Sequence, residues 1–505
     1  MGRPASAPAP ETLRKDGSCL ARCTENEYIY RDPTRFWRCD REHRAYIIID
    51  LKSFYASVEC VERGLDPMTA KLVVADPDRS SGTICLAVSP ALKALGVKNR
   101  CRVYEIPSHI DYIMAPPQMQ HYLDCSAEIY EVYLQYVSKE DIHVYSIDEA
   151  FLDVTDYLDL YHMTPKELGV EIMNAILDKT GIRSSCGIGT NLYLAKIALD
   201  ITAKHSPDFI GILDEDRYMA TLWDHRPLTD FWMIAGGISR RLAGMGIYTM
   251  RDIAGMAMAD DSLLYSEFGI NAEILIDHAF GREPVKIRDI KDFKIKSKSL
   301  SSNQVLLRDY TYEEAKVVIN EMTDRLCLLM AQRGLATDSI TLLVVYSHSW
   351  AGPDGFPAQP SKGTARARFV NRSDETWRSL IMEKYEQTAR RDAPIRTIGL
   401  WCNRVRDLDS CCYQYSFISD NGSFAEDFLE EPRRQDRSRR MQEAVLDIRA
   451  RYGANAVMKG ASLLEAGTMM ERNDQIGGHK SGKMDRVVKE KLAREGRLTE
   501  FDKTL

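Results

Sequence analysis

Two adjacent carboxylates interrupt the most strand-like stretch of this sequence. The segment VYSIDEAFLDV (residues 144–154) predicts two short β-strands, because apolar, β-branched and aromatic residues flank Asp148 and Glu149 on both sides. Side by side at such a junction, the two carboxylates repel each other and give a sheet nothing to pack. A fold for this chain therefore has to place them where something compensates their charge.

A third carboxylate ends another apolar run. AYIIID (residues 45–50) predicts a buried strand that ends in Asp50. If the two strands are neighbours, Asp50, Asp148 and Glu149 converge, and with no His or Cys at the positions that would share the site, all-oxygen ligation favours Mg²⁺ or Mn²⁺ over zinc. Two such ions about 4 Å apart would clamp the attacking and leaving oxygens of a phosphoryl transfer. The alternative is a solvated acidic turn, which is common at protein surfaces.

The chain is long enough for several domains. Its 505 residues exceed what one hydrophobic core supports, and the mixture of strands and helices predicts an α+β core with a mainly antiparallel sheet. Gly-separated helical stretches in residues 231–257 favour a helix–hairpin–helix. Strand–helix patterns in residues 298–404 favour a separate α/β domain, with residues 350–363 as a loop inside it.

Charge is distributed unevenly. The net charge is −7, which alone argues weakly against nucleic acid, but Lys and Arg minus Asp and Glu gives −12 for residues 1–290, +4 for 291–410 and +1 for 411–505. The middle segment can track phosphates, although a charged run is more often a solvated face.

The first 44 residues predict a Pro/Ala-rich leader that is disordered or loosely packed. They lack the apolar core of a signal peptide, and no apolar run in the chain is long enough to span a bilayer. The twelve cysteines then indicate reduced thiols in a cytoplasmic protein. Cys19, Cys23, Cys39 and His43 have a spacing that can hold zinc, but scattered free cysteines are the preferred interpretation.

Three motifs together resemble one enzyme family. IIIDLKSFYASVE, VYSIDEAFLDV and GIGTNLYLAKIALDITAK are similar, in order and register, to the core motifs of Y-family DNA polymerases, and most similar to the bacterial UmuC-like branch of Gram-positive type. The resemblance covers about residues 45–420. It implies an α+β right-hand polymerase with a palm (45–60 and 120–230), small fingers (61–119), a thumb with the helix–hairpin–helix (231–290), an α/β little finger (298–410) and a tail with an amphipathic helix (420–505).

The resemblance also implies an activity and a metal site. Such enzymes are nucleotidyltransferases that add dNTPs to a primer on template DNA, copy damaged templates with low fidelity, and serve the SOS response in the bacterial cytoplasm, at the nucleoid. By position, Asp50, Asp148 and Glu149 match the catalytic metal ligands, with the backbone carbonyl of Leu51 as a further ligand. Two Mg²⁺ ions are the implied cofactors, and Mn²⁺ is able to substitute.

Nucleotide-binding residues follow by the same resemblance. Tyr55 matches the steric gate against a ribose 2′-OH, Phe54 packs beside it, and Lys196 matches a lysine that binds the incoming triphosphate. Core packing remains the alternative for the two rings, and a solvated helix position for the lysine. Where many members place a Tyr and an Arg against the triphosphate, this chain has Pro90 and Lys93. Lys93 keeps the charge without the bidentate fork, which puts the phosphate geometry in doubt.

Contacts to DNA and to a partner are predicted from weaker signals. The Gly turn at Gly236, Gly237 and Ile238 can offer backbone N–H groups to a DNA phosphate, and Lys296 and Lys298 open the basic segment. QYSFI (residues 414–418) loosely resembles the pentapeptide that tethers bacterial polymerases to the sliding clamp. The residues that would contact the clamp are Gln414, Phe417 and Ile418. Its alternation fits a last strand of the little finger equally well.

Two other functions share parts of this pattern. Nucleotide cyclases use the same sheet with paired metal carboxylates, but the basic segment and the Gly-turn hairpin are surplus there. A non-catalytic DNA-binding relative would have lost a carboxylate, and all three are present. Primer extension with Mg²⁺ and four dNTPs separates these alternatives.

Overall fold

The computed structural model describes residues 44–294, 299–352, 355–408 and 430–482. They form two compact units. The first takes in the described residues up to Ala70, then Ser89–Ala91 and Asp124–Phe293. The second takes in Lys71–Val88, Leu92–Leu123 and the described residues from Lys294 onward.

The strands lie in both units. In chain order they are β1 (Tyr46–Leu51), β2 (Leu72–Val74), β3 (Ala87–Val88), β4 (Ile113–Ala115), β5 (Ile142–Val144), β6 (Glu149–Asp153), β7 (Ser184–Gly189), β8 (Ile210–Leu213), β9 (Leu300–Tyr310), β10 (Leu335–Tyr346), β11 (Ser361–Asn371), β12 (Ile395–Asn403), β13 (Arg406–Asp407), β14 (Gln475–Ile476) and β15 (His479–Lys480).

The α-helices are, in chain order, α1 (Phe54–Glu62), α2 (Pro90–Ala94), α3 (Met119–Tyr136), α4 (Leu158–Tyr161), α5 (Pro165–Thr180), α6 (Leu192–Ile197), α7 (Glu215–Leu222), α8 (Gly236–Gly244), α9 (Met250–Asp260), α10 (Ser262–Phe268), α11 (Asn271–Ala279), α12 (Ile287–Asp292), α13 (Tyr312–Gln332), α14 (Asp374–Thr388), α15 (Glu430–Tyr452) and α16 (Met469–Asn473). A π-turn, Ala198–Thr202, extends α6.

The first unit is built on a central sheet. Its strand order is β5-β6-β1-β7-β8, antiparallel except for the parallel pair β7-β8. The apolar residues of β1 are almost completely buried, as expected for the middle strand of a sheet covered on both faces. The predicted antiparallel core and the hairpin of β5 and β6 are both present.

Glycines let a helix approach this sheet closely. A Cβ added to Gly187 on β7 would lie 2.2 Å from the carbonyl oxygen of Ala195, and one on Gly211 of β8 would lie 2.1 Å from that of Ala198. Real Cβ atoms do not approach backbone so closely, so any larger residue would push α6 and its π-turn away from the strands. The glycines therefore set the position of the residues that α6 carries.

The rest of the first unit is helical. Helices α8 to α11 bury an apolar cluster that includes Phe231, Leu242, Ile253, Leu264 and Leu275. Of the Gly-separated helical stretches predicted in residues 231–257, none is present in residues 231–235, before Gly236. The helix pair is instead α8 and α9, joined through Gly246 at a φ of 77°.

The second unit contains a small sheet and a larger C-terminal sheet. The small sheet has the order β3-β2-β4, with β2 and β4 parallel. The C-terminal sheet has the order β11-β10-β12-β9, antiparallel throughout, with β13 paired to β10. Helices α13 and α14 bury its core, which includes Met322, Trp377 and Tyr385.

One predicted loop is partly a strand. The sequence analysis assigned residues 350–363 to a loop, whereas β11 begins at Ser361 and pairs with β10. Small and charged residues fill β11, so its sequence lacks the apolar pattern of a strand. Pairing with β10, including the contact of the Thr341 and Thr364 hydroxyls at 3.0 Å, supplies what the local pattern does not.

The tail, residues 430–482, packs onto the second unit. Gln442 on α15 donates to the Arg372 carbonyl at 2.9 Å, and Thr468 donates to Glu321 through its backbone N–H and its hydroxyl at 2.9 and 3.0 Å. Further on, β14 and β15 form a hairpin whose turn is Gly477 and Gly478, both at positive φ. None of the described helices has the length and apolar character needed to cross a membrane.

Candidate active site

Pairing of β1 with β6 brings the three predicted carboxylates to one place. Asp50 and Glu149 are register partners in this antiparallel pair, and the N–H of Leu51 donates to the Asp148 carbonyl at 2.9 Å. Side chains directly opposite on such a pair have Cβ atoms about 4.5–5.5 Å apart. Like charges at this spacing are destabilising, so the sequence problem posed by Asp148 and Glu149 persists in the fold.

The pKa of Asp50 shows that placing these carboxylates together is unfavourable. Burial, together with the charges of Asp148 and Glu149, raises the pKa of the Asp50 carboxyl to about 7, against the partial relief that Lys196 gives. Burial also raises the pKa of Glu149 above its ordinary value. These groups are short of positive charge, which is the condition in which a carboxylate cluster binds a cation.

Lys196 places a positive charge of the protein itself beside these carboxylates. Its Nζ lies 2.5 Å from Glu149 Oε1 and 3.1 Å from Asp200 Oδ1, and only 9% of its side chain is exposed. Burial lowers the pKa of Lys196, but Asp200 and Glu149 outweigh that effect and the net shift is upward. The alternative interpretation of Lys196 as a solvated helix lysine is therefore wrong, because Lys196 is a buried, charged partner of the carboxylates.

Asp200 is a site residue that the sequence analysis missed. It lies on the π-turn after α6, four residues beyond Lys196, and its charge adds to the upward pKa shifts of Asp50 and Glu149. The spacing of four residues in KIALD is that of neighbours on one helix face. That spacing is the signal that would have identified it.

Two serines hold the turn that carries the carboxylates. Ser146 Oγ donates to Asp148 Oδ1 at 2.6 Å, and Ser126 Oγ on α3 donates to the Ile147 carbonyl at 2.6 Å. A cavity of about 20 Å³ lies beside Asp148 and Glu149, which is room for about one water molecule. The turn is thus fixed from both sides while its carboxylates stay next to open space.

The donor set fits a hard divalent cation, although the side chains do not yet form a closed cage. Among the described residues, no three His, Cys, Asp or Glu side chains lie close enough together to hold a metal. Glu149 instead contacts Lys196. Carboxylate oxygens short of counter-charge are what Mg²⁺ or Mn²⁺ binds, and a small rotation of Glu149 would release it from the lysine.

The two aromatic candidates differ in exposure. Phe54 is buried at the start of α1, whereas Tyr55 is partly exposed, and their ring centroids lie 5.7 Å apart. Ser53, just before α1, has a φ of 49°, a left-handed conformation that non-glycine residues adopt rarely. This turn swings α1 off the end of β1, so Tyr55 lies in the first helical turn after the metal-candidate strand. Phe54 is a core residue, in agreement with the packing interpretation.

The other predicted residues are more scattered. Lys93 lies on α2 with an exposed side chain and belongs to the second unit. Gly236 and Gly237 open α8 next to Ile238, and both are exposed, with free space where a Cβ would be. Outside the described residues lie Cys19, Cys23, Cys39, His43, Lys296, Lys298, Gln414, Phe417 and Ile418.

Known proteins resemble this chain over most of its length. The model of the impB/mucB/samB family matches residues 49–200, which contain all three predicted carboxylates. "Putative UV-damage repair protein UvrX" of Bacillus subtilis (strain 168) is 30% identical over 86% of this chain and 97% of its own length. "DNA polymerase IV 2" of the same strain is 28% identical over 87% of this chain and 99% of its own.

The fold has a solved counterpart. A Y-family DNA polymerase chimera of Dbh and Dpo4 superposes with a TM-score of 0.53 and 21% identity, covering 72% of this chain and 99% of that one. The right-hand polymerase architecture predicted from the three motifs is thereby confirmed at the level of the fold. Together with the relatives above, it establishes that the chain belongs to the Y-family of DNA polymerases, in its Gram-positive UmuC-like group.

Proposed function

We propose that this chain is a template-directed DNA polymerase of the error-prone translesion type, which adds dNTPs to a primer 3′-OH during DNA damage tolerance and repair. Family membership supports the reaction class. The single observation that carries the site is the pairing of β1 with β6, which places Asp50 opposite Glu149 and close to Asp148. A bound cation would compensate the negative charge of such a cluster.

Two Mg²⁺ ions are the proposed cofactors, replaceable by Mn²⁺. Asp50, Asp148, Glu149 and the Leu51 carbonyl would hold them. When bound, the ions would neutralise charge on the triphosphate and orient the attacking and leaving oxygens. The chain's own contribution is placement, since the register of β1 and β6 and the Ser146 contact fix where the carboxylates stand.

Lys196 is the proposed contact to the incoming triphosphate. It is a buried cation on a helix that the strand glycines hold against the sheet, and it already lies beside Glu149. Its Nζ would contact a phosphate oxygen of the triphosphate, and Asp200, at 3.1 Å, would keep the lysine charged and oriented. Lys93 is the second proposed phosphate contact, as a point charge without a fork.

The activity is tested by primer extension with a matched pair of variants. Glu149→Gln should slow extension at least about a hundredfold, because charge stabilisation specific to the transition state is lost. Glu140→Gln makes the same chemical change at an exposed glutamate and should extend like wild type. Equal rates for Glu149→Gln and wild type would remove Glu149 from the site, and no extension by wild type would remove the polymerase function.

Tyr55 is the proposed steric gate against ribonucleotides. Its partly exposed ring, at the start of the helix that follows Asp50, supports the proposal. Tyr55→Ala should raise rNTP incorporation strongly and leave dNTP use nearly unchanged. Constant sugar discrimination in single-nucleotide incorporation would make the ring a packing residue.

DNA contacts are proposed for two regions. The first turn of α8, at Gly236, Gly237 and Ile238, would offer N–H groups to a phosphate. Residues 291–410, with Lys296 and Lys298, would supply a sequence-independent grip. Affinity for primer-template should then fall steeply with salt. A Lys296→Gln, Lys298→Gln double variant with an unchanged salt slope would contradict the second contribution.

A sliding clamp is the proposed protein partner, and the bacterial cytoplasm, at the nucleoid, the proposed site of action. Gln414, Phe417 and Ile418 would occupy a pocket and a groove on the clamp. The double variant Gln414→Ala, Phe417→Ala should keep bare primer extension and melting temperature while losing clamp stimulation. Stimulation that survives the change would exclude this segment as the tether. Fluorescent fusions without damage-induced foci on the nucleoid would argue against the location.

A further inference from the structure

A cavity of about 360 Å³ lies between the tail and the helices of the C-terminal sheet. Helices α13 and α14 form one side, and α15 with the following residues 457–469 forms the other. Part of its wall is apolar and comes from Leu328, Met441, Val445 and Met458. Its volume is in the range of small-molecule sites, which are about 300–1,000 Å³.

One part of the charged wall is balanced. Lys459 Nζ lies 2.8 Å from Asp324 Oδ1 and 2.6 Å from Asp374 Oδ2. Arg378 contacts the same two carboxylates at 3.4 and 3.5 Å. Two cations and two carboxylates therefore satisfy each other, and this quartet has no net charge to offer a ligand.

Two further arginines line the cavity without such partners. Arg325 and Arg449 form no ion pair with any residue that the structure describes, and Arg449 donates only to the Val457 carbonyl. Burial lowers the pKa of Arg449, and the charge of Arg325 adds to that shift while Asp324 opposes it. Burial likewise lowers the pKa of Arg472 to about 10, with a contribution from Arg325 and opposition from Glu321. The lining residues of the cavity thus carry a surplus of two positive charges.

A buried acceptor also lacks a partner there. Gln442 lines the cavity and is 4% exposed, and its Nε2 donates to the Arg372 carbonyl at 2.9 Å. No described group donates a hydrogen bond to its Oε1. An unsatisfied buried acceptor costs about 1–3 kcal/mol. This oxygen is closed off from the open cavity, so Gln442 is a polar residue of the wall and not a contact that a ligand reaches.

We infer that this cavity binds a small phosphate monoester with an apolar body, of the nucleoside monophosphate class. Arg325 and Arg449 would take the phosphate, and the methionine and leucine side chains would cover the apolar part. The site lies outside the carboxylate cluster of the central sheet and uses none of its residues.

Charge and geometry favour phosphate over carboxylate. A phosphate monoester carries about −1.5 to −2 charge at neutral pH, which matches the two surplus arginines, whereas a carboxylate would leave one of them uncompensated. Guanidinium groups bind phosphate oxygens in bidentate fashion. Methionine side chains adapt to flat ring systems of different shape, so the apolar wall suits a nucleobase.

The test is titration calorimetry on the full-length chain in EDTA, where the proposed metal-dependent nucleotide site is silent. The probes are the four deoxynucleoside 5′-monophosphates, their parent nucleosides and inorganic phosphate. At least one monophosphate should bind at least tenfold more tightly than its nucleoside and than inorganic phosphate. Arg325→Gln should weaken that binding at least tenfold. Arg333→Gln removes a charge from an exposed position just beyond the end of α13, outside the cavity lining, and should leave binding unchanged.

Several outcomes would overturn the inference. They are absence of binding by all four monophosphates, equal binding of inorganic phosphate, and an affinity that Arg325→Gln leaves unchanged. Binding of an acidic peptide in an Arg325-dependent manner, with no binding of the monophosphates, would assign the cavity to a protein partner instead. Because Arg325 is exposed and makes no described ion pair, its variant should fold, and an unchanged melting temperature without ligand verifies that.

Discussion

The two charged centres of this molecule have opposite imbalances. In the described part of the first unit, four carboxylates, Asp50, Asp148, Glu149 and Asp200, have Lys196 as their cation. In the tail cavity, four cations line a wall that holds only two carboxylates. Both centres contain a lysine between two carboxylates, Lys196 in one and Lys459 in the other.

The difference indicates what each centre can do. Where carboxylates are in excess, burial and repulsion raise the pKa of Asp50 to about 7. A bound cation would supply the positive charge that this centre lacks. In the cavity, burial favours the neutral form of Asp374, but Lys459 and Arg378 outweigh it and hold the pKa below its usual value. Burial still raises the pKa of Asp324. That quartet stabilises the fold, and the function of the cavity rests on the arginines left over.

The largest expected effect comes from making the same change in both centres. Asp148→Asn should slow primer extension about a thousandfold and leave the melting temperature unchanged or higher, because it removes a repelling charge. Asp374→Asn should extend nearly as fast as wild type and lose about 1–2 kcal/mol of unfolding free energy, because two cations lose a partner. Similar consequences from the two variants would erase the distinction between the centres.

A second prediction concerns the pH dependence of stability without metal. The native pKa of Asp50 lies near 7 and the ordinary value near 3.8, so the native state binds more protons between these values. Stability must then fall as pH rises through that window. In EDTA at pH 8, Asp50→Asn should exceed wild type in unfolding free energy by up to about 4 kcal/mol, and the gap should close towards pH 4.

Denaturant titrations of both proteins at several pH values measure that gap. Added Mg²⁺ should raise the stability of wild type and not that of Asp50→Asn. A gap that stays constant with pH would mean that the pKa of Asp50 in the metal-free native protein is close to its ordinary value. The neighbouring carboxylates would then not disfavour its ionisation.

The smallest effect is expected at Lys459. Lys459→Met removes one cation from the balanced quartet while Arg378 remains, and 45% of the lysine side chain is exposed, so solvent screens much of the interaction. The unfolding free energy should fall by about 1 kcal/mol, with unchanged primer extension. A loss of several kcal/mol in thermal or chemical unfolding would show that this centre depends on its charges more than its exposure suggests.

Much of the carboxylate site could be predicted because its information is local. Apolar runs that end in a charged residue identify both β1 and the hairpin that carries Asp148. The pairing of β1 with β6 joins distant parts of the chain, and the sequence could state it only as a condition. Asp200 was also within reach, through its spacing from Lys196. The contact between Glu149 and Lys196 could not be predicted from the sequence, because it depends on how closely the glycines of β7 and β8 let α6 approach the sheet.

The second unit could be predicted less well, because its contacts join distant parts of the chain. The strand β11 has no apolar alternation of its own and exists through its pairing with β10. Lys459 and Asp324 are 135 residues apart, and Thr468 and Glu321 are 147 apart. The sequence of α15 is rich in charged residues and does not indicate which surface the helix packs against. The cavity beside α15 therefore has no sequence signature.

The glycine hairpin of the tail has a consequence for the order of folding during synthesis. Lys480 contacts Asp76 at 2.9 Å and also pairs with Asp78, Arg79 donates to the Gly478 carbonyl at 3.2 Å, and the Gln120 N–H donates to the Ser481 carbonyl at 2.8 Å. Lys480 follows Asp78 by 402 residues. At about 5–20 residues per second, a ribosome makes the lysine roughly 20–80 s after the aspartate. Until then the buried Asp76 has Arg79 as its described cation, so the loop after β2 gains its contacts to the hairpin only after Lys480 has been translated.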